Sequence, residues 1–283
     1  MLKRILTAVI ALAVFVPVLV FSGAEVGKYI FIGLIFLLTM MALFESSKCI
    51  GLSKKFWIII PVFVFSAALM VAITIFGDAP WLKQYGLAAV ICFVFIILSV
   101  SMLSRGVVRI AQTAELLTLA FYIVFGFTSI VLLRYSTDTY GNYLYLLVFI
   151  GAWLTDTGAY FVGRFLGKHK LIPTVSPKKT VEGAIGGIVV CIISFVVFGL
   201  IVSNIHSLQV NWVALIIAGL VASVLSQFGD LIMSYLKREH GIKDFATILP
   251  GHGGILDRFD SAIPVSVFLF VLNAVCKVMI FYE

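Results

Sequence analysis

Runs of apolar residues long enough to cross a ~30 Å hydrocarbon layer recur along this chain, at residues 5–21, 29–44, 57–76, 87–103, 115–133, 143–163, 183–203, 212–232 and 262–281. A soluble fold is excluded. At 62% hydrophobic residues and a mean hydropathy of +1.18, the chain carries more apolar surface than one aqueous core can hide. In lipid, backbone polar groups must pair within a helix or a closed barrel, and no run here alternates as a transmembrane strand does. The expected fold class is all-α: a polytopic integral membrane bundle of about nine transmembrane helices. Pro17, Pro61 and Pro264 lie in or at the ends of these runs, which membrane helices tolerate.

The opening residues, MLKRILTAVIALAVFVPVLVFSGA, have the outline of a signal peptide, but so many spans follow that a retained first helix is expected. A cytoplasmic N-terminus places 16 of the 20 Lys and Arg residues in inside segments, leaving Lys28, Lys83, Arg134 and Lys277 outside. That bias accounts for the net charge of +7 without a nucleic-acid partner. Cys49, Cys92, Cys191 and Cys276 are widely separated and form no CxxC pair, so neither a disulfide framework nor a thiolate metal site is indicated. Residues 1–140 form an N-terminal transmembrane region without recognisable motifs, and Glu45, Glu115, Trp57 and Trp81 read there as solvated caps and interfacial anchors. Residues 141–283 hold the polar clusters, and the loops after spans six and eight both face the cytoplasm.

A carboxylate inside a membrane span costs at least ~2.5 kcal/mol on insertion scales, so Asp156 within WLTDTGAYFVGR is a candidate functional group. The alternative is a structural ion pair with Arg164 or a lysine of the next loop. In that loop, Ser176, Lys178, Lys179, Thr180 and Glu182 precede a glycine-rich helix start, where free N–H groups favour a phosphate. The eighth span ends in LSQFGDLIMSYLKREHG. If its helix continues past the apolar run, Ser226, Asp230, Ser234 and Lys237 share one face. Arg238 reads either as a substrate contact or as a boundary charge. In GHGGILDRFD, Gly251, Gly253 and Gly254 allow N–H groups to point at an anion, and Asp257 and Asp260 are expected as i, i+3 neighbours on the helix that follows. Together with Asp230 these carboxylates suit Mg²⁺, which takes a few carboxylates, waters and substrate phosphate oxygens. Acidic ligands and phosphate-binding cations on one side point to phosphoryl or nucleotidyl transfer.

The pattern Ser234-x-Leu236-Lys237-Arg238, Lys243-Asp244-x-Ala246, and Leu249-Pro250-x-His252-Gly253-Gly254-Ile255-x-Asp257-Arg258-Phe259-Asp260 closely resembles the signature of the phosphatidate cytidylyltransferases, or CDP-diacylglycerol synthases. Ser176 to Gly183 and Asp156-Thr157 also resemble family features, so the likeness covers roughly the C-terminal half. It implies the reaction CTP + phosphatidate → CDP-diacylglycerol + pyrophosphate, run at the cytoplasmic face of the inner membrane with a divalent cation, usually Mg²⁺, and with a second cation allowed. Carried onto this chain, Asp230, Asp257 and Asp260 hold metal and with Lys237 form the catalytic set. Asp156, Ser176, Lys178, Lys179, Glu182, Arg238, Lys243, Asp244, His252, Gly253, Gly254 and Arg258 bind substrate. His252 either donates to a phosphate or shapes the turn. A homodimer is compatible with this reading. The competing readings are a CTP-dependent polyprenol kinase and an ion-coupled transporter using Asp156 and Asp230.

Overall fold

The computed structural model describes residues 13, 15–135, 141–206, 208–248, 253–275 and 280–282. Among them seven helices are long and apolar enough to cross a membrane, and Ala262–Ala274 is a shorter apolar helix, so the chain is a multi-pass membrane protein. Most of the expected first span lies outside the described residues, as do residues 276–279 near the end of the expected ninth. Two compact units divide the chain, one made of 1–128 with 244–257 and the other of 129–243 with 258–283.

The first unit contains α1 (Glu25–Cys49), α2 (Phe56–Phe76), α3 (Pro80–Leu103) and most of α4 (Ile110–Tyr135). Its core is aliphatic and aromatic, with Phe31, Ile35, Leu43, Ile58 and Ile123 fully buried. On α3 the side chains of Leu87, Ile91 and Phe95 are turned outward. Leaving such side chains in water forfeits about 1.5–3 kcal/mol each, a penalty that lipid removes. The outward face is therefore a lipid face.

In the second unit, α5 (Gly141–Phe149), a π-helical turn at Ile150–Leu154 and α6 (Thr155–Leu166) make one span from Tyr143 to Leu166. Single π turns of this kind are rare and recur at functional sites. Gly151 in the turn lets the chain lie against Val265, Phe195 and Ala222; a Cβ there would be 3.3–3.5 Å from them. Next comes a hairpin, β1 (Lys170–Ile172) against β2 (Ser176–Thr180), antiparallel, leading directly into α7 (Val181–His206). Helices α6 and α7 approach closely where Gly163 faces Gly183, small residues standing in for the side chains that would hold the backbones apart.

After β3 (Gln209–Val210), α8 (Trp212–Glu239) starts where the Asn211 side chain caps it, accepting from Ala214 N at 3.1 Å. It runs seven residues beyond the apolar stretch expected from sequence, through the polar Ser234, Lys237, Arg238 and Glu239. Short α9 (Leu256–Phe259) precedes a turn at 260–261, and α10 (Ala262–Phe270) then packs against α8. The strand β4 (Phe281–Tyr282) pairs antiparallel with β3.

Candidate active site

Three carboxylates of the second unit come from three separate stretches. Asp156 stands in the first turn of α6, just after the π turn, and its Oδ2 accepts from Ser261 Oγ at 3.1 Å. Asp230 projects from α8. Its Oδ2 pairs with Lys179 Nζ at 2.8 Å, and its Oδ1 accepts from Ser234 Oγ at 3.1 Å. Asp260 lies in the turn between α9 and α10, buried, with its Oδ1 accepting from Ser261 N at 2.8 Å. Burial, and next the charges of Asp230 and Asp156, push the Asp260 carboxyl above the ordinary carboxylate range; Lys237 opposes them. Asp156, Asp230 and Asp260 thus form one electrostatic neighbourhood, with Lys179, Lys237 and Arg258 among its cations.

The expected face of α8 is present: the helix continues to Glu239, Ser234 reaches back to Asp230, and Ser226 and Lys237 are buried. Ser226 Oγ has no hydrogen-bond partner among the described residues, one turn before Asp230. An unpaired buried hydroxyl beside a carboxylate is what a ligand oxygen would satisfy. Gly229 lets α8 lie against the turn, since a Cβ there would meet the Asp260 carbonyl oxygen and come within 2.7 Å of Pro264. Gly229→Ala is expected to lower activity at least about tenfold by displacing Asp260, and to destabilise the fold by about 1–3 kcal/mol. Thermal unfolding in detergent and a product assay on the same sample check both.

The hairpin places the two expected phosphate lysines differently. The segment is a strand rather than the loop expected from sequence; in β2 successive side chains point to opposite faces, so Lys179 turns to Asp230 while Lys178 is exposed. Ser176 is half-buried at the start of the strand. Glu182 closes the base of the hairpin: its carboxylate accepts from Lys168 N and His169 N at 3.1–3.2 Å and meets His169 Nδ1 at 2.6 Å. Arg164 donates to Tyr160 OH at 2.8 Å. Its pairing with Asp156 is not among the ion pairs of the described residues. Arg238 Nη1 donates to Ile242 O at 3.2 Å and so holds the turn after α8. Lys243 and Arg258 are exposed.

In the first unit the glycine-rich stretch is held by carboxylates. Asp257 Oδ2 accepts from Phe245 N and Gly254 N, both at 2.9 Å. Gly253 has φ 81°, a left-handed conformation that lets the chain fold over Asp257. Asp244 is exposed. Leu249, Pro250, Gly251 and His252 lie outside the described residues, so the reading of His252 does too. Asp257 and Asp260 do not share the one helix expected of them, because α9 ends at Phe259 and the chain turns at Asp260.

From sequence Glu45 is expected to be a solvated cap. It is instead fully buried in α1, its Oε1 and Oε2 accepting from Ile255 N and Leu256 N at 2.8 Å each. The helix α1 runs on to Cys49, past the end of the apolar run, so Glu45 is a carboxylate within a span, and the reasoning that singled out Asp156 applies to it equally. Ser261, the partner of Asp156, was also missed, hidden by the more conspicuous charges before it.

Among the described residues no three His, Cys, Asp or Glu side chains form a ready-made metal cage. The donor set nonetheless fits a hard cation that completes its shell with water and phosphate: carboxylate oxygens held in a partly dry neighbourhood, and an unpaired hydroxyl beside them.

A helical unit of membrane-spanning length that brings carboxylates and lysines together is the equipment of a membrane enzyme handling phosphorylated substrates. The family model described as Cytidylyltransferase family matches residues 2–276, and the chain belongs to that family. It is a membrane nucleotidyltransferase. Among curated proteins, the chain is 36% identical over 269 residues to a phosphatidate cytidylyltransferase of Staphylococcus haemolyticus and 38% identical over 269 residues to one of Staphylococcus epidermidis, in each case covering 95% of both chains. A phosphatidate cytidylyltransferase of Staphylococcus aureus is 36% identical over 271 residues, again with 95% of both chains covered.

Proposed function

We propose that this protein makes CDP-diacylglycerol from CTP and phosphatidate, releasing pyrophosphate at the cytoplasmic face of the inner membrane. The observation that most supports the reading is the pairing of Lys179 with Asp230 beside Asp260 and Asp156, on a chain that aligns nearly end to end with enzymes named for this reaction. The catalytic groups are assigned to residues 141–283.

In the reaction, an anionic phosphatidate oxygen attacks the α-phosphorus of CTP. The new O–P bond forms as the bond to the bridging oxygen of the β-phosphate breaks, and pyrophosphate leaves with that electron pair. A phosphomonoester oxygen is already ionised near neutral pH, so the site needs no strong general base. Its task is to align two anions and offset their charge. Lys179 and Lys237 are assigned to the phosphates nearest the acidic cluster; Lys178, Lys243 and Arg258, all exposed, are assigned to the approaching nucleotide or headgroup. Asp230 and Asp260 would hold Mg²⁺, with Asp257 kept in the set on the resemblance alone and Asp156 available to a second cation. A bound divalent cation supplies Lewis-acid neutralisation of the phosphate oxygens. Arg238, Glu182 and Asp244 are assigned to shaping the approach rather than to the reacting atoms.

Purified protein given phosphatidate and CTP labelled at the α-phosphate is expected to move label into lipid, and to stop when the cation is chelated. Label entering lipid only from the γ-phosphate would identify a kinase and overturn the assignment.

A further inference from the structure

Glu45 belongs to the half of the chain that carries no recognisable motif, yet its carboxylate lies on the main chain of the signature segment, 210 residues away in sequence. It has zero exposure, and each of its oxygens receives one N–H, from Ile255 and from Leu256. These are the last residue before α9 and the first within it, so the carboxylate fixes the position at which that helix starts. Gly254 shows how tightly the two parts fit. A Cβ there would meet Glu45 Oε2 and stand 2.6 Å from Cδ and Oε1, leaving room only for glycine. The α1 end that presents Glu45 is itself secured, with the hydroxyls of buried Ser46 and Ser47 bonded back to Leu43 O and Phe44 O at 2.8 Å. On the far side of the segment Asp257 takes the N–H groups of Gly254 and Phe245. Two carboxylates therefore clamp one stretch of backbone, the one that carries Asp257 itself.

We propose that Glu45 is a positioning residue for cytidylyl transfer: a buried carboxylate in the first described membrane helix sets the main chain that carries Asp257. The proposal rests on the function argued above. It gives the N-terminal membrane region a task in the reaction beyond anchoring. It also accounts for a buried carboxyl group whose described partners are main-chain amides rather than a cation.

Glu45→Gln keeps the size of the side chain but replaces one acceptor with an NH₂ that faces an N–H. Glu45→Asp keeps both acceptors and withdraws them by one methylene. For folded, purified Glu45→Gln, kcat is expected to fall about 30–100-fold, the loss that a displacement of about 1 Å produces at a reacting centre. The Mg²⁺ concentration giving half-maximal rate is expected to rise, and Glu45→Asp to fall between Gln and wild type. A purely structural role would reduce the folded fraction and leave kcat per folded molecule and the Mg²⁺ dependence unchanged; that result overturns the proposal. If Glu45→Gln does not accumulate, Gly254→Ala leaves Glu45 in place and forces the segment off it, with the same kinetic loss expected and a wild-type rate overturning the proposal. Hydrogen exchange on the wild-type protein is a further check that needs no variant. The amides of 255 and 256 are expected to be protected, and exchange at the rate of an open loop sinks the clamp. Wild-type protein assayed in parallel separates the two ideas: a wild type making no labelled lipid overturns the function and the proposal with it, whereas an active wild type matched by Glu45→Gln overturns the proposal alone.

Discussion

Replacing Asp230 with Asn is expected to lower CDP-diacylglycerol formation by about 10²–10³-fold, the scale of losing one preorganised electrostatic contact to a transition state. Asp230 is the side chain on which the local arrangement converges, meeting Lys179 from the hairpin and Ser234 from its own helix. Asn retains an acceptor for Ser234 but gives up the charge that orients Lys179 and that would hold a divalent cation. The protein should still fold, because Asp230 and Lys179 keep about a quarter of their side-chain surface exposed and such a pair adds little to stability. The check is an initial rate per folded molecule in detergent with phosphatidate and labelled CTP. A rate within about tenfold of wild type would show that Asp230 does not act on the transition state.

Asp260→Asn is expected to cut the rate by at least about 10²-fold while leaving the fold as stable as before or more so. These opposite effects follow from its setting. Asp260 is 7% exposed, and burial followed by the charge of Asp230 raises its carboxyl above the ordinary range. The folded chain then holds this proton more firmly than the unfolded chain does. The resulting contribution to stability is complete below the ordinary carboxylate value of 3.8 and is lost as pH rises through the raised value. Asn cannot ionise, so without divalent cations the variant should lose less stability than wild type as pH rises through that window. Thermal unfolding in detergent with a chelator present, followed from acid to neutral pH and above, measures the difference. Parallel curves for the two proteins would contradict the burial argument.

The membrane fold was legible because hydropathy depends on composition along a run and needs no knowledge of neighbours: seven of the expected spans are present as long helices, most of them within a few residues of their anticipated ends. The shared face of Asp230, Ser234 and Lys237 was legible for a similar reason, since helical spacing alone sets it. What sequence did not reveal depended on the third dimension. The separation of Lys178 from Lys179 turns on a strand where a loop was read, five residues too few and too polar to show a periodicity. The turn at Asp260, which removes it from the helix of Asp257, is fixed by the close approach of Gly229 to its carbonyl. Glu45 was misread because the apolar run ends just before it, whereas the helix does not.

The central claim is that Asp230 and Asp260 together hold a divalent cation for a nucleotide triphosphate. Electron paramagnetic resonance of Mn²⁺ added to the purified protein with CTP, and without lipid, tests it most directly. The wild type should bind Mn²⁺ in a protein-dependent way, and Asp230→Asn and Asp260→Asn should each lose that binding while remaining folded. Equal Mn²⁺ binding by all three proteins would contradict the account.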